Sequence, residues 1–255
     1  MGDRMSFQIA VAGKGGTGKT TLAALTVRCL LDAGAGPVLA VDADPNANLG
    51  EALGVRVEGT LAEILAQTKE PRAVPPGMSR EAFVEFRLSQ ALSEARGVDL
   101  LTMGGPEGPG CYCYPNDLLR KHMETLSRNY RYLVLDNEAG LEHLSRRIAR
   151  DVDVLFVTSD PTMRGLTAAQ RIWRLAGSLE GTRVKSRLLV LNRASSEDGE
   201  ELCGAAARLG LEVGAVVPND PQVAALDLEG RPLSSLAAGS PALEAVRDLV
   251  KRVAL

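Results

Sequence analysis

At 255 residues the chain suits one or two domains, and its 45% apolar content suits a full core. Only 4% of residues are aromatic and the formal net charge is −3, which argues against a nucleic-acid binder working by charge and stacking. The N-terminal stretch has no apolar signal region and no run approaches about 18 apolar residues, so the expected setting is the cytoplasm, away from a membrane. In chain order, strands are expected at 7–13, 37–43, 98–104, 132–137, 152–159, 187–193 and 211–218. Several are continuously apolar, as strands buried on both faces of a parallel sheet are. Helices are expected at Thr20–Ala33, Asn116–Asn129, Glu142–Asp151, Thr162–Leu179, Gly199–Leu209 and Ala242–Val253. This alternation predicts an α/β fold: a doubly wound, mostly parallel sheet with helices on both faces. The charged stretch 69–97, with three prolines, reads as an insertion on the surface of one domain running from residue 5 to 255.

The stretch GKGGTGKTT (13–21) follows a buried-type strand and opens a helix. It matches G-x-x-x-x-G-K-[ST] through Gly13, Gly18, Lys19 and Thr20, with Gly15, Gly16, Thr17 and Thr21 completing the loop. Glycines let backbone N–H groups turn toward phosphate oxygens, and the helix N-terminus adds its positive end. Lys19 then meets the β and γ phosphates while Thr20 supplies a magnesium ligand. The loop and its flanks predict a P-loop NTPase. The second lysine, Lys14, makes GKGGTGKT resemble the deviant loop of the MinD and nitrogenase iron-protein class. That resemblance implies a nucleotide-bridged homodimer in which Lys14 reaches the partner's phosphates, as an arginine finger does.

Acidic residues follow two of the strands. Asp42 reads equally as an Asx turn ahead of Pro45 and as a magnesium ligand at the carboxyl end of a sheet strand. In the same class, D-x-D-P-x-x-N is the first switch segment, so Asp44 is implied to orient or deprotonate the attacking water. YLVLDNEAG (132–140) ends an apolar strand in Asp136, the Walker B pattern for holding magnesium through water. NEAGLEHLSRR (137–147) then resembles the second switch, with Gly140 placed to offer its N–H to the γ-phosphate. The class further implies that Asn192 hydrogen-bonds adenine and that Pro218, Asn219 and Asp220 line the base pocket, although V-P-N-D also reads as a helix N-cap. The lack of an N-K-x-D guanine motif agrees with the class in favouring ATP with Mg2+.

Cys29 and Cys203 sit in helical patterns and read as small core residues. Cys111 and Cys113 lie one residue apart in GPGCYCYPN (108–116). A disulfide between them would close a very strained ring. Just ahead of a helix capped by Asn116 or Asp117, the thiolate form that binds metal is favoured. One C-x-C supplies two sulfurs where a structural zinc needs four ligands. His122 and His143 stand singly, so a second copy of the loop across a two-fold axis is the simplest completion. The combination AGKGGTGKTT, GPGCYCYPN and AGLEHLSRR resembles the CooC family of ATPases that assist nickel insertion into carbon monoxide dehydrogenase. That resemblance covers almost the whole chain and implies a homodimer holding Ni2+, or Zn2+, between paired Cys111 and Cys113. Its client would be apo carbon monoxide dehydrogenase or a related nickel enzyme. Four thiolates suit square-planar nickel and tetrahedral zinc alike. Two other readings stay open: a reductase with a subunit-bridging [4Fe–4S] cluster, and a positioning ATPase of the MinD or ParA kind docking through its amphipathic C-terminal segment. Packing of that segment against the sheet is the reading preferred here.

Overall fold

The computed structural model of the chain describes residues 6–69, 74–104, 123, 125–140, 151–179, 182–195 and 199–255. Among them, eight strands form one sheet: β1 (Phe7–Gly13), β2 (Val38–Ala43), β3 (Ser93–Ala95), β4 (Val98–Thr102), β5 (Tyr132–Asn137), β6 (Asp151–Ser159), β7 (Arg183–Ala194) and β8 (Val213–Pro218). Their order is β3-β4-β2-β5-β1-β6-β7-β8. Every pairing is parallel except β3 with β4. Apart from Phe7 at the start of β1, these continuously apolar strands are buried, as parallel strands covered on both faces must be. The expected doubly wound, mostly parallel sheet is therefore the fold.

The helices are α1 (Lys19–Asp32), α2 (Leu49–Leu53), α3 (Leu61–Lys69), α4 (Arg80–Gln90), α5 (Met163–Gly177), α6 (Gly199–Arg208), α7 (Pro221–Leu228) and α8 (Pro241–Ala254). Ile9 and Val11 of β1 point into one core layer, with α1 and α8; Ala10 and Ala12 point into the other, with α4, α5 and α6. That alternation is the period of two of a strand covered on both sides. On α8, Leu243, Val246, Leu249 and Val250 are fully buried, so the amphipathic face belongs to the core, as preferred from the sequence. Leu249→Ala is expected to cost about 2–5 kcal/mol in urea unfolding; a loss under about 1 kcal/mol would contradict this packing.

Two expectations change, and a third is described only in part. The stretch 69–97 is only partly a surface insertion: Phe83, Val84 and Leu88 of α4 are buried, Val84 and Leu88 within the core layer, and β3 extends the sheet edge. Prolines and charge hid a helix whose cap is legible in hindsight, since the Ser79 hydroxyl accepts from Ala82 N–H. Asp151 opens β6 rather than closing a helix, and the rest of 142–150 lies outside the described residues. The expected helix 116–129 is described only toward its end, where residues 125–127 are helical.

The topology also sets where a ligand can sit. Strand β1 has β5 on one side and β6 on the other, and the chain reverses its direction of growth across the sheet there. The crevice beyond the carboxyl ends of such strands is where open α/β sheets bind ligands. Gly13, Asp42, Asp136, Asn192 and Pro218 all fall at those ends.

Candidate nucleotide site

The loop between β1 and α1 turns through Gly16 (φ 78°) and Gly18 (φ 86°), backbone states that glycine adopts without strain. Gly18 is the N-cap of α1 and makes no side-chain cap, so the first N–H groups of the helix are left for a ligand. Lys19 is buried and Lys14 exposed. Thr17 lies beneath the loop: its hydroxyl donates to the Lys14 carbonyl at 2.8 Å and pairs with the Thr158 hydroxyl at 2.7 Å. A Cβ on Gly13 would stand 2.1 Å from that Thr158 hydroxyl, which fixes glycine at the end of β1. Nothing in the sequence marks Thr158, which looks like one more residue of an apolar strand.

Two carboxylates end neighbouring strands in register, Asp42 on β2 and Asp136 on β5. Asp42 accepts from the backbone N–H of Asp44 (3.1 Å) and of Leu49 (2.8 Å). It therefore holds the loop into α2 as an Asx-type turn, one of the two readings its sequence allowed. Burial pushes it up to about 6, with the two amides pulling the other way. Asp136 is different: it is fully buried and neither oxygen completes a hydrogen bond. The Thr20 hydroxyl is near enough to lower its pKa but falls outside hydrogen-bond geometry, so both oxygens count as unpartnered. Burial pushes Asp136 up to about 7, against the opposing effects of Thr20 and Lys19. A buried carboxylate with two free oxygens fits a hydrated divalent cation. Asp44 is half-buried at the cleft wall and accepts from the Asn46 N–H at 2.9 Å. Gly140, the expected γ-phosphate donor, instead gives its N–H to the Gly13 carbonyl at 3.2 Å.

Most residues expected around the nucleotide meet in one cleft of about 1250 Å³: the loop from Gly15 to Thr21 apart from Thr17, Asp44, Asn192 and Pro218 to Asp220. The Asn192 amide donates to the Thr17 carbonyl at 2.8 Å, gripping the phosphate loop. Asp220 caps α7 through the Gln222 N–H (2.9 Å) and accepts from the Ser240 hydroxyl (2.5 Å). Against the cost of burial, these bonds hold its carboxyl below the usual carboxylate range. Asp220 thus ties the pocket wall to α8. Cys111 and Cys113 lie outside the described residues, and the described residues contain no cluster of three or more His, Cys, Asp or Glu fit for a metal.

The loop's rigidity is testable at one atom. A Cβ on Gly18 would stand 2.2 Å from the Asn192 amide nitrogen, and φ of 86° is unfavourable to any other L-residue. Gly18→Ala is expected to lose about 1–2 kcal/mol of stability from the backbone alone. Displacing Asn192 adds to that loss. Urea unfolding that matches the parent protein would contradict the loop geometry.

A glycine turn becomes a phosphate site through its company: an uncapped helix behind it, a buried lysine within it, and an unpartnered carboxylate on the adjoining strand. Together with the sheet order, these define a P-loop nucleotide-binding site. The chain belongs to the CobQ/CobB/MinD/ParA nucleotide binding domain family, whose model matches residues 9–233. It is 39% identical over 248 residues to an uncharacterized ATP-binding protein of Methanocaldococcus jannaschii, covering 96% of this chain and 97% of that one. It is 35% identical over 186 residues to the carbon monoxide dehydrogenase accessory protein CooC of Rhodospirillum rubrum, covering 68% and 70%. In fold it is similar to the septum site-determining protein MinD of Pyrococcus horikoshii in complex with Mg-ADP: the TM-score is 0.72 at 24% identity, over 98% of this chain and 96% of that one.

Proposed function

We propose that the chain is an ATP-hydrolysing metallochaperone, acting as a homodimer and delivering nickel to an apo-enzyme of the carbon monoxide dehydrogenase kind. The buried, unpartnered Asp136 carboxylate beside an open phosphate loop carries the ATPase half. The C-x-C pair Cys111 and Cys113, together with the similarity to the CooC protein, supports the metal half.

Each residue then has a defined task. The N–H groups of the loop and of the first turn of α1 bind phosphate oxygens, and Lys19 neutralises charge from within the loop. Thr20 and Asp136 would hold Mg2+. When bound with ATP, that ion neutralises charge developing on the β and γ phosphate oxygens. Asp44, on a loop held by Asp42, orients the attacking water. Asn192 and the Pro218–Asp220 segment bound the base end of the cleft. Exposed Lys14, whose ammonium meets no partner among the described residues, reaches the phosphates of the second subunit. Closure of that dimer brings two Cys111/Cys113 pairs together as four sulfur ligands for one transported Ni2+, with Zn2+ the competing occupant. Hydrolysis reopens the dimer and releases the metal.

The dimer is the testable hinge. Light scattering is expected to show a monomer without nucleotide and a dimer with ATP and Mg2+, while Lys14→Ala stays monomeric in both. A Lys14→Ala protein that dimerises like the parent would refute the trans role.

A further inference from the structure

At the end of β7 the pairing with β8 slips by one residue: Asn192 faces Val217 and Ala194 faces Pro218, leaving Arg193 with no partner. Arg193 takes up the slip in the left-handed region, at φ 57°, a conformation that a side chain this large avoids. Bulges of this kind re-aim side chains next to functional sites. Here the bulge turns two consecutive side chains onto two consecutive carbonyls of the phosphate loop. The Asn192 amide donates to the Thr17 carbonyl and the Arg193 guanidinium to the Gly16 carbonyl. The Asn192 side-chain oxygen accepts from the Arg193 N–H at 3.0 Å, which ties the pair together. Just beyond, the Ala194 carbonyl accepts from the N–H of Asn219, at the end of the neighbouring β8, at 3.2 Å.

A planar trans peptide points its C=O and N–H in opposite directions. Holding the Gly16 and Thr17 carbonyls therefore turns the N–H groups of Thr17 and Gly18 the other way: the Thr17 N–H closes the turn on the Lys14 carbonyl at 3.3 Å, and the Gly18 N–H is left for a ligand. Gly16 and Gly18 make the loop permissive, so something outside it must select this arrangement. We propose that Arg193 is a positioning residue for nucleotide binding: its guanidinium on the Gly16 carbonyl holds the Lys14–Thr17 turn of the phosphate loop in its binding shape and couples the loop to the base end of the cleft. This rests on the reading of the cleft as a nucleoside-polyphosphate site. Sequence alone gives no hint of it, because the role depends on the bulge.

The test is calorimetric binding of ADP with Mg2+ to the full chain, with urea unfolding as the control for folding. Loss of a charge-assisted hydrogen bond at an exposed position is expected to weaken binding about 5- to 10-fold in Arg193→Ala. Arg193→Lys, which can still donate to Gly16, is expected to recover part of that loss. Arg193→Gly separates the guanidinium from the backbone: glycine relieves the left-handed strain and preserves stability, yet it should bind as weakly as Arg193→Ala. In steady-state hydrolysis the defect should fall on KM rather than on kcat. Parent-like binding by Arg193→Ala or by Arg193→Gly overturns the assignment; if Arg193→Ala does not fold, Lys and Gly decide it. A parent protein that fails to bind ADP overturns the nucleotide reading itself, a result distinct from equal binding by parent and variants.

Discussion

Asp136→Asn is expected to yield a more stable protein that no longer hydrolyses ATP. The two effects share one cause. Asp136 is fully buried with both oxygens unpartnered, so its negative charge is a burden on the ligand-free fold. Burial raises it from an ordinary value of 3.8 to about 7. Between those values the folded chain keeps a proton that the unfolded chain has lost. The stability this provides is complete below about pH 4 and disappears as pH climbs through about 7. Asp42, raised to about 6, adds a slope of the same sign over a narrower window. Ligand-free protein should therefore be less stable at pH 8 than at pH 5. Asparagine at position 136 removes the larger part of that difference and leaves the part due to Asp42. Without a carboxylate to hold Mg2+, phosphate release should fall by about 10²–10³-fold, the scale on which a lost electrostatic contact to a transition state costs rate. Urea unfolding at the two pH values, paired with a phosphate-release assay, checks both halves. A variant that is destabilised at pH 8, or that keeps its hydrolysis, would contradict this account of Asp136.

The double change Cys111→Ala and Cys113→Ala should abolish nickel binding and leave ATP binding intact. Thiolates are the soft ligands of the proposed site. In that proposal two ligands per chain make the site dependent on the dimer, so the expected loss is total rather than graded. Nickel counted by elemental analysis after desalting, beside nucleotide affinity by calorimetry, reads the two properties separately. Undiminished nickel in the double variant would show that the metal sits elsewhere.

The fold was legible because its signals were long and redundant. Apolar runs such as FQIAVAG and VDVLFVTS match β1 and β6 to within a residue, and GKGGTGKTT could only join a strand to a helix. What escaped was short or conditional. Strand β3 has three residues, and α4 lay behind prolines and charge. The part played by α7 was half visible: Asp220 ahead of Pro221 is an N-cap signature, and the structure adds the bond from Ser240 that makes it a latch. At the site, the sequence names residue types, and the structure adds the contacts they make in the ligand-free chain. Asn192 reads as a base ligand and in this structure holds the loop; Gly140 reads as a phosphate donor and pairs with Gly13. Those partners lie more than a hundred residues away in sequence, and only the sheet order brings them together. A change of nucleotide state would have to break the Gly140–Gly13 bond before that N–H could serve a γ-phosphate.

In the proposed cycle ATP closes a dimer and closure builds the metal site. Native mass and nickel content measured together, with and without ATP and Mg2+, test it directly. A monomer with little nickel is expected in the absence of nucleotide, and a dimer holding one nickel per two chains in its presence. Nickel bound at the same stoichiometry by a monomer, or an ATP-dependent dimer that takes up none, would contradict it.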